Sequence, residues 1–226
     1  MYVAGIDEAG RGPVLGPLVI AGVVLLKDDI DQLVEDGLKD SKLLSKTKRE
    51  QLYKQILVVT PDYQVTIIKA SKIDEQRANG INLNKIEIAA IIELLNLMKN
   101  WDKAYVDACD TNAEKFELML RNTVKKDIIA EHYADLTYPV VSAASVIAKV
   151  IRDSQIEKAQ RKFEVDFGSG YPSDPKTIQF LKDYYMEHKQ FPGIARKSWE
   201  TIKNIIREQE QSNLDEFFSN SKNKKS

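Results

Sequence analysis

The chain has 226 residues, 43% of them hydrophobic, so it is long enough to bury a substantial core. Its 33 basic and 34 acidic side chains nearly cancel, so a nucleic-acid surface must come from local clustering and not from net charge. One cysteine excludes an internal disulfide framework, and two histidines provide no ligand spacing typical of zinc, which together favour an intracellular, cytoplasmic protein.

The N-terminal stretch joins an apolar run to two acids and a glycine-rich loop. Residues 2–6 predict a strand, and Asp7 and Glu8 follow it directly. Alternation places these acids on opposite faces, so we expect the loop to break the pleat and let both serve one site. In Gly10-Arg11-Gly12 the glycines permit close backbone approach to a ligand, and the guanidinium could reach a phosphate. Solvated strand-end acids are the alternative, but the combination favours phosphodiester chemistry.

Further along the chain, β-branched runs and helical periodicity alternate, which predicts an α/β fold. Further strands are predicted at residues 18–26, 63–70, 104–107 and 127–131. Helices are predicted from about residue 45, from residue 71, and at about 83–98, 113–124, 140–163, 175–188 and 198–208. The run at 18–26 is about half of the ~20 residues that a membrane-spanning helix needs, so we expect a buried strand and no membrane contact.

A basic segment lies around the second predicted helix. Residues 39–54 contain six basic and two acidic side chains. Such a run is either a solvated helix face or a surface that follows a phosphate backbone, and the sequence alone leaves both possibilities open.

Two more acids stand at or beyond the ends of predicted elements. Asp107 ends the strand at residues 104–107, and Asp135 lies shortly after the strand at 127–131. Cys109 could be imagined as a nucleophile, but no histidine is placed by the sequence to activate it, so a small buried cysteine is expected.

The long helix at residues 140–163 predicts one polar sector on an otherwise apolar surface. The polar side chains that share this sector are Ser142, Ser145, Lys149, Arg152 and Asp153. The two hydroxyls are expected to face the site. A second Gly/Pro-rich loop at 168–175 carries one aromatic residue, Tyr171, which is expected to be exposed and to stack on a ligand.

Several of these motifs, in this order, resemble ribonuclease HII, a family with the ribonuclease H-like fold. The matching stretches are Gly5-Ile6-Asp7-Glu8-Ala9-Gly10-Arg11-Gly12, Asp40-Ser41-Lys42, Tyr105-Val106-Asp107, Asp135 ahead of Tyr138-Pro139, Ser142-Ala143-Ala144-Ser145-Val146-Ile147-Ala148-Lys149, and Gly168-Ser169-Gly170-Tyr171-Pro172. The resemblance covers residues 1–208. It implies a five-stranded mixed sheet flanked by helices, with additional C-terminal helices at about 172–208, and an archaeal type of sequence.

The resemblance also implies an activity and a ligand set. The activity is hydrolysis of RNA in RNA/DNA hybrids and incision of DNA beside embedded ribonucleotides, leaving a 3′-hydroxyl and a 5′-phosphate. Two Mg²⁺ or Mn²⁺ ions are expected on Asp7, Glu8, Asp107 and Asp135, since hard cations prefer oxygen ligands. The expected substrate contacts are Gly10, Arg11, Gly12, Lys42, Ser142, Ser145, Lys149 and Tyr171. The protein is expected to act as a monomer.

There are two rival interpretations, one a related enzyme and the other a protein without catalytic activity. Ribonuclease HIII shares the acids but usually carries an additional N-terminal substrate-binding domain, whereas this sequence starts directly on the acidic strand. A catalytically silent nucleic-acid or clamp-binding module would gain nothing from four clustered carboxylates that repel phosphate. Ribonuclease HII is therefore favoured.

The last residues, 209–226, are predicted to be a flexible tail. Within them Gln211, Leu214, Phe217 and Phe218 have the spacing of a motif that binds the sliding clamp, PCNA. One helical turn would bring the apolar side chains together to fill a hydrophobic groove. The alternative is that these aromatic residues fold back on the domain.

Overall fold

A five-stranded mixed sheet lies at the centre of the protein in the computed structural model, which describes residues 1–39 and 41–223. The side chains of Lys42 and of residues 212–223 are also outside this description. The strands are β1 (Tyr2–Ala9), β2 (Leu18–Leu26), β3 (Asp62–Ile68), β4 (Lys103–Asp107) and β5 (Asp127–Glu131). Their order is β3-β2-β1-β4-β5, with β2 antiparallel to β1 and β3, and with β4 parallel to β1 and β5. The predicted mixed sheet is confirmed.

Helices cover both faces of this sheet. They are α1 (Lys27–Glu35), α2 (Lys46–Val59), α3 (Ala70–Ala78), α4 (Leu83–Leu97), α5 (Ala113–Val124), α6 (Ala134–Thr137), α7 (Pro139–Phe163), α8 (Pro175–His188) and α9 (Glu200–Asn223). A short 3₁₀ turn, Ser41–Leu43, precedes α2. Among the described residues, no helix has both the length and the apolar character to cross a membrane.

Two hydrophobic clusters lie on opposite faces of the sheet. Side chains of α3, α4 and α5 pack on one face, and those of α1, α2 and α7 pack on the other. Because β2 is covered on both sides, its residues from Leu18 to Leu25 are all buried, and its sequence is continuously apolar instead of alternating.

The first turns of α7 lie directly on the central strand. A Cβ atom at Gly5 would stand 2.2 Å from the carbonyl oxygen of Val140, so only glycine lets the helix approach this closely. Residues 140–148 of α7 are buried all round, because the sheet, α2 and α6 surround them. The polar sector predicted for this helix is therefore not a solvent-facing side in the first half of α7, where Ser142 and Ser145 are buried.

A third cluster holds the C-terminal helices against the N-terminal loop. Val14 and Leu15 pack with α8, α9 and the second half of α7. Leu15 also forms an isolated bridge with Ala195. The loop that follows the acidic strand is thus built into the core of the C-terminal part.

Several elements differ from those predicted. β1 continues through Asp7 and Glu8 to Ala9, because their pairing with β2 persists. α1 was missed, although its buried Ile30 and Leu33 have helical spacing. The last helix was expected to end near residue 208 but continues to Asn223.

Candidate active site

Three of the four predicted acids meet at one end of the central strands. The parallel register pairs Ile6 of β1 with Val106 of β4, so the next residues, Asp7 and Asp107, are neighbours. One carboxylate oxygen from each of Asp7, Glu8 and Asp107 lies within 4.8 Å of the others. This is a group of oxygen donors that fits a hard divalent cation.

The two consecutive acids reach one site without the break in the pleat that the sequence predicts. The pairing of β1 with β4 ends at Ile6 and Val106, so side chains from both faces can turn around the open edge beyond it. The backbone N–H of Glu8 donates to Asp7 Oδ1 at 2.7 Å, which holds the Asp7 carboxylate back against the strand.

Asp135 lies beside this group on α6. It is buried, and its charge contributes to raising the pKa of Asp7. The N–H of Ala134, at the start of α6, donates to Asp107 Oδ1 at 2.8 Å. The structure therefore brings Asp135 to the same end of the sheet, outside the group of three whose oxygens meet.

Burial and mutual repulsion make the carboxylates of Asp7 and Glu8 difficult to ionise. Burial, followed by the charge of Asp107, raises the pKa of Asp7 to about 8. Burial and the charges of Asp7, Glu87 and Asp107 raise the pKa of Glu8 well above its usual range. A bound divalent cation would offset this repulsion, so the site fits a metal in its electrostatics as well as in its donors.

The hydroxyls of α7 hold the acids in place. Ser145 hydrogen-bonds with the Asp7 carboxylate, and its Oγ lies 2.8 Å from Ser41 Oγ. Ser142 donates to the backbone carbonyl of Asp135 at 2.6 Å. Both hydroxyls face the site as predicted, and the substrate contact predicted for them stays a prediction.

The guanidinium of Arg11 is bound by the protein. It forms an ion pair with the buried carboxylate of Glu87 on α4, and it donates to Asn84 Oδ1 at 2.6 Å. Burial raises the pKa of Glu87 to about 7, although Arg11 opposes this shift. The phosphate contact predicted for Arg11 therefore competes with an intramolecular pair that the sequence did not indicate.

The two glycine-rich loops contact each other. The N–H groups of Val14 and Leu15 donate to the carbonyl of Gly170 at 2.9 and 3.1 Å. Gly10 has a φ of 92°, and a Cβ there would stand 2.6 Å from the carbonyl of Pro17, so both conformation and space require glycine.

Tyr171 lies against the first of these loops. A Cβ atom at Gly12 would stand 3.5 Å from its ring, and the Arg152 guanidinium lies 5.4 Å from its ring centroid. Its exposed fraction is 37%, so the predicted exposure is confirmed. Arg152 is itself buried and donates to the carbonyl of Ser169 at 2.7 Å, so it supports the tyrosine loop from beneath.

Two residues that the sequence analysis did not single out as site residues hold the loop at residues 10–16. Arg196 is fully buried and donates to the carbonyls of Gly10, Arg11 and Gly16. Trp199 donates to the carbonyl of Gly12 at 3.3 Å. Both lie far away in sequence, so no local pattern could have connected them with the loop.

The basic segment is partly engaged within the protein. Lys46 pairs with Glu157 of α7, and Arg49 donates to the carbonyls of Ser41 and Leu44 at 3.0 and 2.7 Å. Lys149 donates to Asp153 at 2.8 Å. The side chain of Lys42, a predicted phosphate ligand, lies outside the described residues.

Cys109 is not suited to act as a nucleophile. Burial and the neighbouring charges of Glu87 and Glu8 raise the pKa of its thiol, so the reactive thiolate is disfavoured. Cys109 packs against the cluster around α4 and α5, as expected, but it is half-buried and not fully buried.

Comparison with known proteins gives consistent matches. A family model described as ribonuclease HII matches residues 4–202. A ribonuclease HII from Methanococcus maripaludis (strain C5) is 49% identical over 218 residues, which are 94% of this chain and 90% of that protein. The crystal structure of ribonuclease H2 from Pyrococcus horikoshii OT3 has a TM-score of 0.84 and 43% identity, covering 91% of this chain and 97% of that chain.

A further solved structure is a PCNA:RNase HII complex from Archaeoglobus fulgidus. It matches with a TM-score of 0.80 and 40% identity, covering 88% of this chain and 95% of that chain. The similarity therefore extends over almost the whole length of the compared proteins.

The repulsion at the site predicts a pH- and metal-dependent stability. The pKa of Asp7 is about 8 in the folded protein against an ordinary value of 3.8, so the folded state holds the proton more tightly. Without a divalent ion, stability is therefore lost as the pH rises from about 4 to about 8. Asp7→Asn should remove this loss and raise the melting temperature at about pH 9 in EDTA by roughly 3–8 °C.

Thermal unfolding with and without Mn²⁺ checks this prediction. Mn²⁺ should stabilise the wild type more than Asp7→Asn, and Asp31→Asn, which removes an exposed acid of α1, should behave as the wild type. An Asp7→Asn variant that is less stable than the wild type in EDTA at about pH 9 would contradict the electrostatic account.

Proposed function

The chain belongs to the ribonuclease HII family and is a ribonuclease H, and from this membership we propose that it also incises DNA beside embedded ribonucleotides. The observation that carries the proposal is the meeting of Asp7, Glu8 and Asp107 within 4.8 Å, with Asp135 buried beside them. In the proposed reaction a water oxygen attacks phosphorus and the bond to O3′ breaks. The products are a 3′-hydroxyl and a 5′-phosphate.

The proposed metal ligands are the four acids. Asp7, Glu8, Asp107 and Asp135 offer only oxygen donors, the type that Mg²⁺ and Mn²⁺ prefer. Two such ions, when bound, would activate water on one side of the phosphate and stabilise the leaving oxygen on the other. The raised pKa values of Asp7 and Glu8 support this proposal, because the repulsion that raises them is the repulsion that a cation offsets.

Hydrogen bonds within the protein fix the orientation of two of the four carboxylates. The Asp7 carboxylate is fixed by Ser145 and the Glu8 N–H, and Asp107 is fixed by the N–H of Ala134. Such fixed dipoles keep the oxygens directed at the site before substrate arrives, so little reorganisation is needed during the reaction.

The proposed reader of the ribose is the loop at Gly10-Arg11-Gly12 together with Tyr171. The 2′-hydroxyl is the group that distinguishes RNA from DNA, and it can both accept and donate a hydrogen bond. The position of the Tyr171 ring, which a Cβ atom at Gly12 would touch, supports a joint role, because a ring and a backbone N–H placed close together can contact the sugar and its hydroxyl.

Backbone phosphates are proposed to lie along the basic residues that flank the site. Lys42 and the exposed Lys39 and Lys54 are candidates, and Lys149 is a further one that would have to exchange its pairing with Asp153 for a phosphate. Lys46 and Arg49 already contact other parts of the protein. In this proposal, part of the basic segment contacts phosphates and part of it is engaged within the protein.

Neither rival interpretation is favoured. The family model and the Methanococcus relative are both ribonuclease HII, which disfavours ribonuclease HIII. A silent binding module would keep three carboxylates within 4.8 Å of one another in mutual repulsion, at a cost in stability and without a compensating function.

The C-terminal residues are proposed to bind the sliding clamp. We propose a catalytic domain at residues 1–208 and a clamp-binding segment within residues 209–226. The helical backbone of α9 puts positions 214, 217 and 218 on one face, as an apolar contact requires. The Archaeoglobus structure describes a ribonuclease HII in complex with PCNA, which supports the same partner for this chain. The side chains of these three positions lie outside the described residues.

A nicking assay tests the activity. A DNA duplex with one embedded ribonucleotide should be cut beside that residue in Mg²⁺ or Mn²⁺, whereas the all-DNA duplex should stay intact. Asp107→Asn should lower turnover by about a hundredfold or more, because it removes a metal ligand. Near wild-type turnover by Asp107→Asn would refute the metal assignment.

Tyr171→Ala should lower turnover strongly with little change in melting temperature. Tyr171→Phe separates the contribution of the ring from that of the hydroxyl.

Calorimetric titration against the cognate clamp tests the partner. The double variant Phe217→Ala/Phe218→Ala should lose measurable binding while its activity on short duplexes is kept. Ser219→Ala/Ser221→Ala, in the same segment, is the matched control and should bind as the wild type. Equal affinity of the phenylalanine variant and the wild type would refute the proposal.

A further inference from the structure

The loop Gly10-Arg11-Gly12 is held through all three of its backbone carbonyls. The Arg196 guanidinium donates to the carbonyls of Gly10 and Arg11, the latter at 2.9 Å. The indole N–H of Trp199 donates to the carbonyl of Gly12 at 3.3 Å. Two side chains from one short segment therefore occupy the whole carbonyl side of the loop.

Peptide geometry determines where the N–H groups of this loop point. In a trans peptide the C=O and N–H bonds point in opposite directions, and no cis peptide bond is found among the described residues. The carbonyl of Gly10 shares its peptide unit with the N–H of Arg11, and the carbonyl of Arg11 shares its unit with the N–H of Gly12. With both carbonyls directed at Arg196, the two N–H groups point away from it.

The segment that makes these contacts is itself fixed on several sides. The ring of Trp199 lies near two guanidiniums, with ring centroid distances of 4.9 Å to Arg196 and 5.3 Å to Arg77. Asp74 of α3 accepts hydrogen bonds from the backbone N–H groups of Lys197 and Ser198 at 2.8 and 3.0 Å. The donors are therefore held by α3 independently of the loop that they contact.

The positive charge of Arg196 strengthens its hydrogen bonds to the carbonyls of the loop. Burial, followed by the charge of Arg152, lowers the pKa of Arg196 to about 10, which still leaves the guanidinium protonated at neutral pH. Hydrogen bonds from an ionised donor are stronger than neutral ones, and the planar fork of arginine suits several carbonyls at once.

We infer that Arg196 and Trp199 are positioning residues for ribose recognition, which hold the loop so that the N–H groups of Arg11 and Gly12 are presented to the 2′-hydroxyl. This inference rests on the proposed function of the loop. It gives the C-terminal part of the chain a role in substrate discrimination, although it contributes none of the four acids.

Trp199→Phe is the sharpest test, since it keeps an aromatic ring and removes the N–H that holds Gly12. On a duplex with one ribonucleotide, kcat/KM should fall about fivefold, the effect expected for one neutral hydrogen bond. The inhibition constant of the all-DNA duplex of the same sequence, measured in Mg²⁺, should stay within about twofold of wild type, and the melting temperature within about 2 °C. Arg196→Lys, which keeps the charge without the fork, should lower kcat/KM further.

Trp101→Phe is the matched control. The indole N–H of Trp101 donates to the carbonyl of Met98 at 3.2 Å, so this variant loses the same kind of bond elsewhere in the fold. Its kinetics should equal those of the wild type.

If the wild type cleaves the ribonucleotide duplex normally, two results would overturn this inference and leave the proposed function standing. One is an unchanged kcat/KM for Trp199→Phe. The other is an equal loss of affinity for the all-DNA duplex, which would indicate a general structural effect. A wild type that leaves the ribonucleotide duplex intact would instead refute the proposed function, and the inference with it.

Discussion

Repulsion among clustered, partly buried carboxylates is the constraint on which the rest of the structure depends. Asp7, Glu8 and Asp107 lie within 4.8 Å of one another at the end of two paired strands, and the pKa of Asp7 rises to about 8 as a result of burial and this proximity. Such a group can be kept together only by a backbone that is held from several directions. The pairing of β1 on both sides, and the close packing of α7 on Gly5, provide that support.

Three arginines in and around the glycine loop have structural roles. Arg11, Arg152 and Arg196 each hold a backbone or a carboxylate within the protein. The loop at residues 10–17 follows the acids Asp7 and Glu8 directly and is held by Arg196 through the carbonyls of Gly10, Arg11 and Gly16. The contacts of Arg196 connect the acidic site to the C-terminal part of the chain, so the candidate metal-binding acids and the loop proposed to contact the ribose belong to one packed unit.

Local patterns were sufficient to predict most of the elements and the acids. The apolar runs predicted all five strands, and the resemblance to ribonuclease HII implied that Asp7 and Asp107 serve one site. The parallel register of β1 and β4 is the reason that they meet. Long-range contacts could not be predicted in this way. The pairing of Arg11 with Glu87, and of Arg196 with the carbonyls of residues 10, 11 and 16, depends on the tertiary packing of α4 and of the C-terminal part. Asp7 and Glu8 were expected to need a break in the strand, whereas the end of the β1–β4 pairing at Ile6 already opens the edge.

The most direct test of the account is a diffraction measurement on crystals grown with Mn²⁺, using its anomalous signal to locate the ions. The account predicts Mn²⁺ at about 2.0–2.6 Å from carboxylate oxygens of Asp7, Glu8 and Asp107, the range of hard-cation coordination, with a second ion close enough to contact Asp135. The absence of anomalous density between these carboxylates at saturating Mn²⁺, or density only elsewhere on the protein, would contradict it.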